Sequence, residues 1–509
     1  MAGALTACAP AIPPPPAASL PPAPPASAPL DTSPTDLAVL NRISWGSQTA
    51  DAQMLASTGL AGYLRQQLYP SNDDGLPPAV SAQIAALEIS QKPLTAIYAE
   101  VRALRTAAQA RKGTPDFQTA QKAFQAKMRD LARQAALRSL LRDLYSRNQL
   151  KESLTWFWMN HFNVSQNKAD IRALVGDYEE TAIRPNVLGK FRNLLSATLI
   201  HPAMLEYLDN AQNGVGHLNE NYARELMELH TLGVGSGYTQ KDVQELARIL
   251  TGLGVNRGGK PVRAKRGMEG LYRGKGLVLF NPARHDFGDK QFLGTTIKGR
   301  GLAEIDEAAA ILAAAPATAK HVSTQLAEYF CCDAPPDSLV QKMTATWQGS
   351  DGDIRQVLIT LFSSPEFKAS LNHKFKDPIH FAVSALRASY DRQVIADPAP
   401  LLNWLNRMGE PLYGHETPDG YPMTGAAWSG PGEMETRFEI ARLIGLGRTG
   451  LYTRAGDAPP APHPAILETR YYQAIAPTLS PATIAALKQG ATPADKNLLF
   501  LSSPEFMHR

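Results

Sequence analysis

The chain has 509 residues, 44% of them hydrophobic and 19% charged, which is the balance of a globular body with a large core. Lys and Arg number 51 against 47 Asp and Glu, and a net charge of +4 carries no nucleic-acid signature, so no nucleic-acid partner is expected. No uninterrupted apolar run reaches the length of a membrane span, and three cysteines exclude both a disulfide-stapled scaffold and a Cys-rich zinc module.

Residues 1–30 hold no charged side chain, and eleven prolines fall between Pro10 and Pro34. Such a stretch buries too little surface to offset ordering entropy, so residues 1–36 read as an extended, disordered Pro/Ala-rich tether. Just before it, Leu5-Thr6-Ala7-Cys8 resembles a bacterial lipobox, with Cys8 as the lipidated residue. Only seven residues precede Cys8, without Lys or Arg, so a free cysteine in a tail is the competing reading. The lipobox reading places the protein in the extracytoplasmic cell envelope, held to the membrane through a lipid anchor only.

From Leu37 onward Ala, Leu, Arg and Gln recur at three-to-four spacing. The fold class expected is mainly α: a large multi-helical body over 37–509, with one small β-hairpin-like element and possible lobes 37–375 and 376–509. Gln118 to Tyr145 is a basic amphipathic helix, read as a solvated face or an anion contact. In Phe157-Trp158-Met159-Asn160-His161-Phe162-Asn163, a buried, hydrogen-bonded His161 competes with a ligand-binding one.

The densest polar stretch runs from Asn219 to Gly252. Asn219 reads as an N-cap and Gly233 as a stop, with Tyr222, Leu226 and Leu229 on one face. Glu220, Asn221, Arg224, Glu225 and Glu228 fill the opposite arc. Thr239 and Asp242 then cap a second helix, whose Val243, Leu246, Ala247 and Leu250 face inward. The arc is either a set of i,i+4 ion pairs on a solvated face or an acid–base pair, Glu225 with Glu228, beside an amide and a guanidinium.

A glycine-rich loop from Arg257 to Lys275 sets seven basic residues against Glu269 alone. It is either a solvated insertion or a contact for an anionic polymer. Leu277–Phe280 and Gln291–Leu293 then flank a turn-rich connection and are expected to form the hairpin, with His285 and Asp286 on its turn. Cys331 and Cys332 read as two buried thiols. Ser-Ser-Pro-Glu-Phe occurs at 363–367 and again at 502–506, each a serine cap with Pro at the first helical position and a Phe packed back. These copies suggest related helical lobes that meet near His373 to Pro378.

No HExxH, P-loop, G-x-S-x-G or dinucleotide fingerprint is present, so the cofactor is unknown and no metal site is assigned. The Asn219–Gly252 unit, Phe157 to Ser165, His285 to Lys290, both Ser-Ser-Pro-Glu-Phe copies and the stretch from Gly409 through Pro418-Asp419-Gly420-Tyr421 to Trp428 together resemble a bacterial family. It is the domain-of-unknown-function family eighteen hundred, and the resemblance covers Leu40 to Arg509. It implies an exported, mainly helical protein often encoded near a sulfatase-like partner protein. It supplies no catalytic residues.

The residues themselves suggest an envelope hydrolase or remodelling enzyme acting on a polymer, with an anionic polymer or glycan as partner. The catalytic candidates are Glu225, Glu228, His285 and Asp286, with Asn221, Arg224, His161 and His230 binding substrate. The alternative is a non-catalytic envelope assembly or binding protein in which the same cluster locks helices together. A cleft requires the His285–Asp286 turn to meet the Asn219–His230 helix.

Overall fold

Local chemistry sets the ends of many helices. Ser33 Oγ accepts from the Asp36 amide at 3.1 Å, with Pro34 at the first position of the helix Pro34–Ile43. The same device recurs where it was expected. Ser364 accepts from the Phe367 amide and Ser503 from the Phe506 amide, and both phenylalanines are buried. The computed structural model describes residues 33–258, 266–452 and 464–509. Cys8, nearly all of the Pro/Ala stretch, and Lys260, Arg263 and Lys265 of the basic loop lie outside the described residues.

The described residues form 24 α-helices and two small antiparallel sheets. Two helices, Gln149–His161 and Pro378–Tyr390, are buried on essentially every side. Their apolar residues run around the whole circumference, as befits helices at the centre of a large body. The main core runs from Leu37 to Met507, with residues on both sides of 373–378 contributing, and a smaller second cluster gathers Ile97, Phe124, Met128 and Leu131.

Several charged groups inside this core are held by partners. Arg184 reaches Glu152 on the central helix and Glu179 on the adjacent π-helical turn Tyr178–Ile183. Arg387 pairs with Asp51. Arg42 donates to the carbonyls of Phe330 and Cys331 and to Ser370 Oγ, tying the first helix to the end of the helix Pro316–Phe330.

Three sequence expectations change. Arg138 and Arg142 of the helix Phe117–Tyr145 are not solvated; they are largely buried, and both pair with Glu180. The strands at 277–293 do not pair with each other. Val278–Phe280 lies between Leu253–Val255 and Arg273–Lys275, with Leu253 and Arg273 both opposite Phe280. Lys290–Phe292 instead folds back on Thr295–Ile297 through Leu293 and Gly294, both at positive φ (48° and 78°), the pattern of a tight two-residue hairpin. The third change concerns the site helix, described next. Cys331 and Cys332 are free thiols with sulfurs 3.2 Å apart, the first buried and the second partly exposed.

Candidate functional site

The helix Asn221–Glu228 is shorter than its sequence pattern suggests. Asn219 does not cap it in the expected way: its Oδ1 accepts from the Asn221 amide at 3.0 Å, and Glu220 flanks the helix. Beyond Glu228 the chain tightens into a turn. Thr231 Oγ1 donates to the Leu226 carbonyl at 2.6 Å and the Gly233 amide to that of Met227 at 3.1 Å. Gly233, Gly235 and Gly237 all sit at positive φ (87°, 70° and 95°), a conformation glycine adopts without strain. The second helix, Gln240–Ile249, begins with the predicted Thr239–Asp242 capping box.

Tyr222, Ala223, Leu226 and Met227 bury one face of the site helix. On the other, Arg224 donates to Gln240 Oε1 at 2.8 Å and Glu220 Oε2 at 3.3 Å, and lies 3.8 Å from Glu228. Asn221 donates to the Leu208 carbonyl at 3.2 Å. Tyr238 bonds with Glu228, and burial and that carboxylate push its hydroxyl up to about 12. Glu225 is the perturbed acid of the set. Partial burial raises its carboxyl above the ordinary range, Glu228 raises it further, and Asp419 adds to both against the opposing Arg224.

Asp419 arrives on a strap, residues 409–428, that crosses the end of the central helix. Asn160 and Asn163 hold it there. Asn160 Nδ2 donates to the Tyr421 carbonyl at 2.9 Å and its Oδ1 accepts from the Tyr421 amide at 2.7 Å. Asn163 Nδ2 donates to the carbonyls of His415 and Thr417 at 3.2 and 2.7 Å. Gly420, at φ 75°, passes so close that a Cβ would overlap the Asn160 carbonyl oxygen. Tyr207 donates to the Glu416 carbonyl at 2.7 Å and senses the charges of both Asp419 and Glu225. Tyr238 also lines an open groove of about 600 Å³, together with Leu232, Leu293, Ile311 and Pro316 among others.

The remaining candidates are elsewhere. The His285 side chain is fully buried. Its Nδ1 lies 2.8 Å from the Thr251 carbonyl and its Nε2 2.9 Å from Glu304 Oε1, while buried Lys290 takes the other Glu304 oxygen. Asp286 pairs with Arg248 at 2.8 Å, and that guanidinium holds its carboxyl below the usual range. The His285–Asp286 turn therefore latches the hairpin to the helices Gln240–Ile249 and Leu302–Ala314. His161 and His230, the other expected substrate contacts, are buried in the protein rather than exposed.

Asn160, Asn163, Tyr207 and Asp419 escaped the sequence reading as site residues. The Asn-His-Phe-Asn and Pro-Asp-Gly runs signalled them, but only the fold sets a strap from 409–428 against a helix at 221–228. Among the described residues no three His, Cys, Asp or Glu side chains are arranged to hold a metal ion.

No curated protein and no solved structure matches the chain. A family described as a protein of unknown function (DUF1800) matches residues 38–508, and the chain belongs to that family.

Proposed function

We propose that this protein is an exported, envelope-associated enzyme that hydrolyses or remodels a polymer of the glycan class by acid–base chemistry. One observation carries the reading: Glu225 is a half-buried carboxyl raised first by burial and then by Glu228 one helical turn away, with a smaller push from the Asp419 charge on the strap. A carboxyl shifted in this direction holds its proton more tightly than an exposed one, which suits a group that donates it to a leaving oxygen. Glu228, beside Arg224 and Tyr238, is the second carboxyl of the pair and the one assigned to activate water. The groove that shares Tyr238 gives an extended chain room to lie.

Peptidoglycan fragments and anionic and neutral exopolysaccharides are the substrates to try, with new reducing ends as the readout. The wild type is expected to release them, and Glu225→Gln to lose at least about a hundredfold of the rate at an unchanged melting temperature. A wild type that releases none overturns the enzyme reading. A second reading, a non-catalytic assembly module, is favoured by Arg224, which bridges Glu220 and Gln240 across two helices. Saturable polymer binding without cleavage, lost in Arg224→Ala, is its signature.

The tether belongs to the same proposal. Leu5–Cys8 followed by a Pro/Ala-rich spacer suits an acylated Cys8 that holds the body off a membrane. Fractionation of wild type against Cys8→Ser tests it, and identical distribution in the soluble fraction removes the anchor. The sulfatase-like partner implied by the family is tested by co-purification from the envelope fraction.

A further inference from the structure

Three imidazoles meet beneath the candidate site, each from a different part of the chain. His161 ends the helix Gln149–His161, His230 follows the site helix, and His321 lies within Pro316–Phe330. The His161 ring centroid is 5.9 Å from that of His230 and 6.4 Å from that of His321. Two of the rings hold the turn that follows the site helix. His161 Nε2 donates to the His230 carbonyl and His321 Nε2 to the Leu229 carbonyl, each at 3.0 Å. The His230 ring faces the backbone of Pro418, the residue before Asp419 on the strap.

The neighbours of the cluster leave no place for charge. The titratable group facing His161 is His321; those facing His230 are His161 and His321; His321 has the Leu229 carbonyl. Gln325 meets His161 Nδ1 at 2.6 Å, and Trp158, Phe162 and Phe191 form the apolar walls. Among the described residues no carboxylate from any packed element faces these rings, so an imidazolium here has no counter-ion and repels its neighbours.

We propose that the His161–His230–His321 cluster is an acid-sensitive latch, whose protonation frees the end of the site helix and the Asp419 strap together while the rest of the body stays folded. Burial holds all three rings below the ordinary histidine range, His161 at about 3, and each recovers its ordinary affinity for protons once the cluster opens. Each proton taken up on opening multiplies the opening constant by as much as about tenfold per pH unit below about 6.5, and three by about a thousandfold. The inference concerns access to the site and stands whether or not Glu225 is catalytic.

Hydrogen exchange of the full chain between pH 7 and 4.5, corrected for intrinsic rates, tests it. Residues 221–233 and 413–421 are expected to open together, more steeply than about tenfold per pH unit, while the buried face of the histidine-free helix Ile354–Ser363 stays protected. His321→Gln, at the partly exposed member and with a donor retained for the Leu229 carbonyl, is expected to remove up to about one power of ten per pH unit from the steepness. Exchange that does not rise in the two segments, that rises only in step with Ile354–Ser363, or that keeps its steepness in His321→Gln overturns the proposal. If His321→Gln does not fold, the comparison of segments in the wild type decides alone.

Discussion

Two histidines show how burial assigns a role that residue type leaves open. His285 sits on a turn beside two aspartates, the pattern of an exposed catalytic base. Its ring is instead enclosed, with Thr251 on one side and Glu304 on the other, and Lys290 completes a buried ionic triad. Removing one member leaves a charge without its partner inside the protein. Glu304→Gln is therefore expected to cost about 3–5 kcal/mol in chemical denaturation. It should leave the titration of Glu225 unchanged, because the two sites share no bonding partner. A stability loss below about 1 kcal/mol would return His285 to the pool of functional residues. His161 makes the complementary point. Its Nε2 meets the His230 carbonyl and its Nδ1 the Gln325 Oε1, so both ring nitrogens are engaged inside the protein.

Among the elements, the strap and the repeated caps differ in how far sequence determines them. Each Ser-Ser-Pro-Glu-Phe copy carries its own cap, helical Pro and buried Phe, so it forms the same turn in two contexts. Ser364→Ala and Ser503→Ala should each lower stability by about 1 kcal/mol, read from denaturation midpoints at constant slope. The strap has no repeating structure and depends on Asn160, Asn163 and the close passage of Gly420. Gly420→Ala places a methyl group against the Asn160 carbonyl at a backbone conformation that L residues avoid. The strap should lift, Asp419 should leave Glu225, and the Glu225 carboxyl should titrate lower than in the wild type by ¹³C NMR. An unchanged titration would mean that neither the strap's cover nor the Asp419 charge acts on Glu225.

At the scale of the whole molecule, buried histidines make the fold sensitive to acid. His380 donates from Nδ1 to Asp377 and accepts at Nε2 from Arg509 at 2.7 Å. Burial, with the nearby Arg509 charge, lowers it to about 4 despite the opposing Asp377. The folded value lies below the unfolded one, so the unfolded chain takes up the proton first. Stability associated with this ring is complete above about pH 6.5 and falls as pH drops toward 4, by about 3 kcal/mol. His380→Gln should flatten the dependence of unfolding free energy on pH across that window by up to one proton. An unaltered slope would place the proton uptake elsewhere.

The helical class, the capped ends, the inward faces of the helix pair 221–249 and the family were all legible in the sequence. Each rests on spacing within a few residues, where backbone geometry converts order along the chain directly into a face or a turn. The polar arc of Glu225, Glu228 and Arg224 was legible for the same reason. Its two readings were not separable, because charge pairing on a helix looks the same whether a neighbour covers it or not. Tertiary structure supplied Asp419, which raises Glu225 from a strap far along the chain, and it enclosed His161, His230 and His285. It also repaired the strands, since Leu253–Val255 competes for the edge of Val278–Phe280 that the local pattern had given to Gln291–Leu293. Burial and long-range electrostatics depend on which segments meet, and no short window of sequence contains that information.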